Sequence, residues 1–233
     1  MNDSVLDVGC GPGSITAGFR KYVGERGRVV GVDREVAILE DAKKRCSLPT
    51  TKADIQLGDV YSLKTFSNGE FSMVHCHQVL QHLTDPVRAL KEMKRVSNKY
   101  VIAREVDYET WTWHPKESAM DEWKRVYQNV ARTNKADPNI GRRLKDLFAQ
   151  AGIPNATIYA DVVSYTTPQS TLEWGETWAK RISETKLADQ AIEFGLSTKQ
   201  RNVEMAQGWR RWAKSENACL FYIDVTAIGE ITF

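Results

Sequence analysis

The chain has 233 residues, of which 42% are hydrophobic, and a formal net charge of +2. This suits one large domain, or one domain with an inserted cap, that can bury a sizeable core. No basic run of five or more residues is present, which argues against a nucleic-acid partner. No apolar run approaches the ~18 residues of a membrane span, and no secretory signal is visible, so we expect a cytoplasmic protein without a membrane span.

Strand and helix patterns alternate through the first part of the chain. Apolar runs predict β-strands, and apolar side chains at helical spacing predict helices between them. The predicted strands are residues 5–8, 28–32, 54–57, 71–76 and 100–104, and the predicted helices are residues 14–23, 36–47 and 86–97. This alternation indicates a parallel sheet with helices on both faces.

The pattern changes after the fifth strand. Residues 108–135 are rich in Trp and Tyr and are predicted to be mostly helical, and residues 141–151 form an amphipathic helix. Residues 157–165 contain many β-branched side chains and predict a sixth strand. Residues 168–217 are predicted as further helices, and residues 219–228 as a last strand.

The most informative stretch is residues 5–16. Its apolar run ends in a Gly-Cys-Gly-Pro-Gly turn and is followed at once by a helical pattern, as at the start of a nucleotide-binding βαβ unit. Pro12 lacks an N–H, which makes the turn a poor cradle for a pyrophosphate. Asp33, just after the second apolar run, can accept hydrogen bonds from both ribose hydroxyls. The implied ligand has an adenosine and a ribose diol but no phosphate, and S-adenosylmethionine fits that description.

The chain resembles the class I S-adenosylmethionine-dependent methyltransferases. Residues 5–13 match the family's glycine motif, residues 31–33 and 58–60 match the ends of its second and third strands, and residues 71–86 match its fourth strand and the helix after it. The last stretch looks most like the branch that contains the ubiquinone and menaquinone-biosynthesis C-methyltransferases. The resemblance implies an α/β fold, a Rossmann-like, doubly wound, mostly parallel seven-stranded sheet with an antiparallel edge strand. Residues 1–233 would form a single domain, with helical lid insertions on the acceptor side at residues 106–138 and 168–217.

The resemblance also implies S-adenosyl-L-methionine as the cofactor. Asp7 and the glycines would line its methionine half, and Asp33 would hold the ribose. Asp59 would accept from the adenine amino group, while the Val60 N–H faces a ring nitrogen. From the residues alone, simpler roles stay open: an ordinary tight turn for the glycines, a helix N-cap for Asp33 and a turn aspartate for Asp59. The residues assigned to the cofactor are Asp7, Gly9, Cys10, Gly11, Gly13, Asp33, Arg34, Gly58, Asp59, Val60, His77 and Gln78.

Three residues near the ends of the fourth and fifth strands are candidate catalytic residues, namely His77, Glu105 and Asp107. Either carboxylate would orient an acceptor or act as a base, and the alternative is a solvated loop carboxylate. His82 is predicted to cap or pack the start of a helix. The aromatic residues at positions 111–114 would either stack on a flat acceptor or form the core of a lid.

The remaining polar residues do not suggest a metal. His75 and His77 would share one face of a strand, but no third ligand is evident, so we predict no metal site. The four cysteines form no C-x-x-C pair, which favours free thiols over disulfides or zinc.

We therefore expect an enzyme that moves the methyl group of S-adenosylmethionine to a small, apolar or aromatic, organic acceptor by in-line displacement. The alternative is a protein that binds S-adenosylmethionine without methyl transfer. Asp7, Pro12 and Asp59 argue against a nicotinamide-dependent dehydrogenase, and a homodimer is left open. Few residues precede the first strand, where relatives carry a helical segment; truncation, an open site or compensation by the Trp-rich insertions would explain this, and we favour truncation.

Overall fold

The computed structural model describes residues 3–231. Its strands are β1 Ser4–Val8, β2 Arg28–Asp33, β3 Asp54–Leu57, β4 Phe71–His77, β5 Ser97–His114, β6 Thr157–Tyr165 and β7 Cys219–Glu230. Its α-helices are α1 Ser14–Phe19, α2 Val36–Arg45, α3 Pro86–Val96, α4 Ser118–Thr133, α5 Leu144–Gln150, α6 Pro168–Glu184, α7 Lys186–Glu193 and α8 Lys199–Ala213. Two short 3₁₀ helices span Leu80–His82 and Ile140–Arg143. Within residues 3–231, no helix is both long and apolar enough to cross a membrane.

The seven strands form one sheet in the order β3-β2-β1-β4-β5-β7-β6. The first five in this order pair in parallel, and Asp7 of β1 lies between Gly31 of β2 and His75 of β4. Parallel strands place their carboxyl ends at the same edge of a sheet, which is where ligands bind in such folds. The mixed sheet, with one antiparallel edge and flanking helices, confirms the predicted Rossmann-like fold.

The structure corrects the prediction for residues 108–114, which we expected to be helical. They belong to β5, which continues to His114. Trp111 and Trp113 are buried while Thr112 and His114 are exposed, which is the two-residue period of a strand. Aromatic and β-branched side chains favour that conformation. The helix begins only at Ser118, where the Glu117 side chain accepts from the Ala119 N–H.

The chain divides into two compact units. Unit 1 consists of Met1–Glu105, Gly141–Tyr159 and Val225–Phe233, and unit 2 of Val106–Ile140 and Ala160–Asp224. Unit 1 contains the whole of β1 to β4 and the helices α1, α2, α3 and α5. It therefore holds the parallel strand ends at which the cofactor is expected.

Helix α3 illustrates how the sequence specifies an element of unit 1. The Asp85 side chain accepts from the Arg88 N–H at 3.0 Å, and Pro86 occupies the first turn, two features that favour a helix start. Apolar side chains on one face of the helix are fully buried; they are Ala89, Leu90, Met93 and Val96. Burial of this face holds the helix in unit 1.

Unit 2 is organised around an aromatic core. Trp123 is fully buried, and its ring centroid lies 4.5 Å from that of Trp178 and 4.7 Å from that of Trp209. Trp111 stacks between Tyr108 and Tyr222, at 4.9 and 4.6 Å. Of the two roles open for the aromatic residues near position 111, the structure gives them that of a hydrophobic core.

The carboxylate of Glu92, in unit 1, makes the stability of the protein depend on pH. Glu92 on α3 accepts from the Leu63 N–H at 2.8 Å and pairs with Arg95 at 2.8 Å. The hydrogen bond from Arg95, more than any other contact, holds the pKa of Glu92 below its ordinary value. A carboxylate with a lowered pKa in the folded state stabilises the protein above its unfolded pKa, and this stability is lost as the pH falls through the folded pKa.

We therefore expect Glu92→Gln to unfold more easily than the unaltered chain at neutral pH. Its unfolding free energy should also fall less steeply on acidification below about pH 4.5. Urea titrations across this range measure both effects. Glu40→Gln is the control, because Glu40 is exposed beside Lys43. Parallel pH profiles for Glu92→Gln and the unaltered chain would contradict the expectation.

Candidate cofactor site

Two adjoining cavities lie at the carboxyl ends of the parallel strands in unit 1 and share Gly9. Their volumes are about 220 and 200 Å³, which together fall within the range of small-molecule sites, about 300–1,000 Å³. The first is lined by Val8, Gly9, Asp33, Arg34, Glu35, Gly58, Asp59, Val60, Gln78, Val79, His82 and Leu83. The second is lined by Asp7, Gly9, Cys10, Gly11, Pro12, Ser14, Ile15 and His77.

The glycine turn forms the boundary between the two cavities. The N–H groups of Gly9 and Cys10 both donate to the Val32 carbonyl, at 2.8 and 3.0 Å. Gly9 has a φ of +68°, and a Cβ there would overlap a methyl group of Val79. Burial raises the pKa of the Cys10 thiol to about 12, so this thiol stays protonated at neutral pH and is a poor nucleophile.

Asp33 ends β2 and faces the first cavity. One of its carboxylate oxygens accepts from the Gly11 N–H at 2.9 Å, and the other accepts from the Glu35 N–H at 2.9 Å. These bonds fix the carboxylate between the glycine turn and the start of α2. Each oxygen has a second lone pair, so the same side chain can still accept from a ribose diol.

Asp59 follows β3 on the wall of the first cavity. One of its carboxylate oxygens accepts from the Tyr61 N–H at 2.9 Å, and its carbonyl accepts from the Ser62 N–H. Asp59 therefore stabilises a turn, as one of the two interpretations expects. Its second carboxylate oxygen can still accept a hydrogen bond from a ligand. Gly58 and Val60 line the same wall.

Asp7 has a structural network of its own at the second cavity. Its side chain is almost fully buried, and its oxygens lie 2.5 Å from the Thr16 hydroxyl and 2.8 Å from the His75 Nδ1. The His75 ring meets Phe19 edge-on. This network fixes Asp7 in the wall of the cavity.

His77 and Gln78 stand at the end of β4, one in each cavity wall. Gln78 takes an unusual left-handed φ of 55°, and its N–H donates to the Arg104 carbonyl at 2.8 Å. This geometry turns the chain from β4 into the loop that completes the first cavity.

The two carboxylates predicted on β5 are buried and are not solvated loop residues. Glu105 accepts from the backbone N–H groups of Val79, Leu80 and Gln81, and it is not among the residues that line the cavities. Asp107 belongs to unit 2, where it accepts from the Glu109 N–H at 3.1 Å. Of the three candidate catalytic residues, only His77 lines a cavity described in unit 1.

Gly13 is the one predicted cofactor residue that lines neither cavity. It precedes α1, and a Cβ on it would lie 3.1 Å from the sulfur of Cys46, the residue that follows α2. The predictions omitted several lining residues and gave His82 a packing role, although it lines the first cavity. The omitted residues are Val8, Pro12, Ser14, Ile15, Glu35, Val79 and Leu83. Each lies within a few positions of a predicted residue, so proximity in the chain to a predicted residue is the feature of the sequence that could have identified it.

The residues present fit S-adenosylmethionine. Asp33 and Asp59 stand in one cavity, where a ribose diol and an adenine amino group need acceptors. A Cβ on Gly11 would point into open space, so a ligand can approach the backbone there. Among residues 3–231, no three His, Cys, Asp or Glu side chains gather as a metal site, and all four cysteines are free.

Comparison with known proteins identifies a family for the part of the chain that contains both cavities. A family model described as a methyltransferase domain matches residues 1–152, which include both cavities. An uncharacterised methyltransferase of Schizosaccharomyces pombe is 33% identical over 99% of this chain and 84% of its own length. The 2-phytyl-1,4-naphtoquinone methyltransferase of Trichormus variabilis is 30% identical over 46% of this chain and 47% of its own length.

The fold is also similar to that of a solved structure. The protein BH2331 of Bacillus halodurans C-125 superposes with a TM-score of 0.62 at 16% identity, over 98% of this chain and 92% of that one. At this identity the likeness concerns the fold alone. The family match and the Schizosaccharomyces relative show that the chain belongs to the class I S-adenosylmethionine-dependent methyltransferases, and the fold agrees with this.

Proposed function

We propose that this methyltransferase holds S-adenosylmethionine across the two cavities of unit 1 and transfers its methyl group, in line, to a small, apolar or aromatic, organic acceptor. One observation carries the cofactor assignment: Asp33 and Asp59 line a first cavity that shares Gly9 with a second cavity, which His77 lines. A ribose and an adenine need the carboxylates, and the remainder of the cofactor needs the second cavity.

The residues of the chain act by holding and aligning. When bound, the cofactor supplies a methyl group on a positively charged sulfur. Asp33 binds the ribose, Asp59 binds the adenine, and the turn around Gly11 takes the amino-acid half. Alignment in a site that excludes water can provide most of the rate enhancement of a displacement. His77 is the candidate to orient the acceptor, or to take its proton where the acceptor must lose one.

The acceptor class rests on the family relatives. The Trichormus relative is named for a substituted naphthoquinone, and an acceptor of that kind is flat and largely apolar. The tryptophans of unit 2 do not add to this argument, because their rings form a buried core.

Thermal unfolding with and without ligand tests the cofactor site. A ligand at 100 times its Kd stabilises by about 2.7 kcal/mol, or roughly 5–10 °C for a chain of this length. We expect this shift with S-adenosylmethionine and S-adenosylhomocysteine but not with NAD. Asp33→Ala should remove most of it, because the ribose and the Gly11 N–H both lose their acceptor.

Asp54→Ala is the matched control for this experiment. Asp54 is an exposed carboxylate at the start of β3, so its removal should leave the ligand-induced shift unchanged. Equal shifts in Asp33→Ala and the unaltered chain would contradict the proposed ribose contact.

A panel of acceptors tests the reaction. Transfer of a labelled methyl group to a quinone, a phenol or a related flat compound is the expected result. Binding of S-adenosylmethionine with no S-adenosylhomocysteine formed on any acceptor would favour a binding protein without methyl transfer. Methylation of a protein or RNA alone would contradict the acceptor class.

A further inference from the structure

The buried carboxylate of Glu105 has a set of contacts that acid–base chemistry does not explain. The side chain is fully buried. One oxygen accepts from the N–H groups of Val79 and Leu80 at 2.9 and 2.7 Å, and the other accepts from the Gln81 N–H at 3.4 Å. These donors belong to the N-cap and the first residues of a 3₁₀ helix. Backbone N–H groups at the start of a helix have no partner within the helix.

The segment that contains these donors, residues 78–83, forms a wall of the first cavity, although Leu80 and Gln81 themselves do not line it. Gln78, Val79, His82 and Leu83 all line it. A second tie to the same strand comes from the Gln78 N–H, which donates to the Arg104 carbonyl at 2.8 Å. The segment 78–83 is therefore anchored to the middle of β5 by both the Arg104 carbonyl and the Glu105 carboxylate.

The side chain of Val79 connects the anchored segment 78–83 to the glycine turn. Val79 lies so close to Gly9 that no Cβ can be accommodated at position 9, and Gly9 is shared by both cavities. A displacement of Val79 would alter the cavities at their junction.

We propose that Glu105 is a positioning residue for the cofactor site: its carboxylate fixes segment 78–83, and through Val79 the junction at Gly9, in the shape that binds the cofactor. The proposal rests on the proposed function only in taking these cavities as the cofactor site. It assigns Glu105 no proton transfer and no contact with the acceptor.

The role requires two acceptor oxygens on the side chain, because both oxygens of Glu105 accept from backbone N–H groups. A buried carboxylate is stable only when hydrogen bonds compensate its desolvation, and three backbone donors supply that compensation here. In Glu105→Gln, one oxygen can still accept, but the amide nitrogen would face an N–H group, and two donors cannot pair. The end of the segment at Gln81 therefore loses its anchor.

Calorimetric titration with S-adenosylmethionine and S-adenosylhomocysteine tests the proposal. We expect Glu105→Gln to raise both Kd values by a similar factor, about 10- to 100-fold. With an acceptor from the panel above, the KM for S-adenosylmethionine should rise while kcat at saturation stays within about threefold. Hydrogen exchange at amides 79–81 should accelerate, and saturating S-adenosylhomocysteine should restore their protection.

Two further variants keep the test decisive. Val79→Ala removes the contact with Gly9 and should reproduce the loss of affinity even where Glu105→Gln folds poorly; the two changes together should be less than additive. Glu70→Gln is the matched control, because Glu70 also accepts from a backbone N–H, that of Ser67 at 2.8 Å, and lines neither cavity. Its Kd values should equal those of the unaltered chain.

Three outcomes would overturn the proposal. A loss of thermal stability with unchanged Kd values would make Glu105 merely structural. A large fall in kcat with unchanged Kd values, and the loss of one limb of the pH–rate profile, would make it a base. Unchanged Kd values in Val79→Ala would break the link to Gly9. Failure of the unaltered chain to bind either ligand would instead reject the proposed function.

Discussion

Replacing Gly9 with alanine is expected to abolish measurable cofactor binding and to lower the free energy of unfolding by about 3 kcal/mol or more. Two costs add. The φ of +68° at this position is strained for any residue with a side chain, and the new methyl group would overlap Val79. Relief of the overlap moves either the glycine turn or segment 78–83, and both form the cavities. Urea denaturation and calorimetric titration measure the two effects.

Two other glycines separate the contributions. Gly195 has the same φ, with open space around the added Cβ, and it belongs to unit 2; Gly195→Ala should cost only the conformational strain, about 1–2 kcal/mol, and leave binding intact. A Cβ on Gly11 also meets open space but on the wall of a cavity, so Gly11→Ala should weaken binding more than stability. A Gly9→Ala variant that binds normally would contradict the described junction of the cavities.

Replacing Trp123 with alanine is expected to lower the free energy of unfolding by about 3–5 kcal/mol. The ring is fully buried and contacts Trp111, Tyr127, Trp178 and Trp209. Its removal leaves a cavity that rigid neighbouring rings cannot fill. Denaturant unfolding followed by tryptophan fluorescence and by circular dichroism measures the loss.

Phe221→Ala is the control for this prediction, since Phe221 also belongs to unit 2 but is 36% exposed; it should cost about 1 kcal/mol or less. The comparison separates the two roles that were open for the aromatic residues. If Trp123→Ala kept normal stability and lost only acceptor turnover, the rings would be a binding surface and the described core would be wrong.

The sequence was most informative where local signals and chain connectivity agree. The first four strands and the helices between them follow from short apolar runs and helical spacing, with differences of a few residues at their ends. Asp33 and Asp59 could be placed beside a ligand, because the carboxyl ends of parallel strands share one edge. Those inferences needed only neighbours along the chain and one rule of topology.

Contacts between residues that are far apart in the chain could not be predicted from the sequence. Nothing near Glu105 in the chain indicates that its carboxylate caps residues 79–81, about 25 positions away. The same holds for Asp7, whose network depends on His75 in the neighbouring strand. The prediction of a helix at residues 108–114 is wrong, because these residues continue β5 with the alternate burial of a strand. The error arose because a tryptophan-rich segment can pack a core in either conformation.

A crystal structure of the chain with S-adenosylhomocysteine would test the central claim most directly. We predict the ribose hydroxyls within hydrogen-bond distance of Asp33, the adenine beside Asp59 and Val60, and the amino-acid half beyond Gly9 toward His77. Well-ordered density for the ligand anywhere else would contradict it, as would density at this site with the adenine and amino-acid ends reversed.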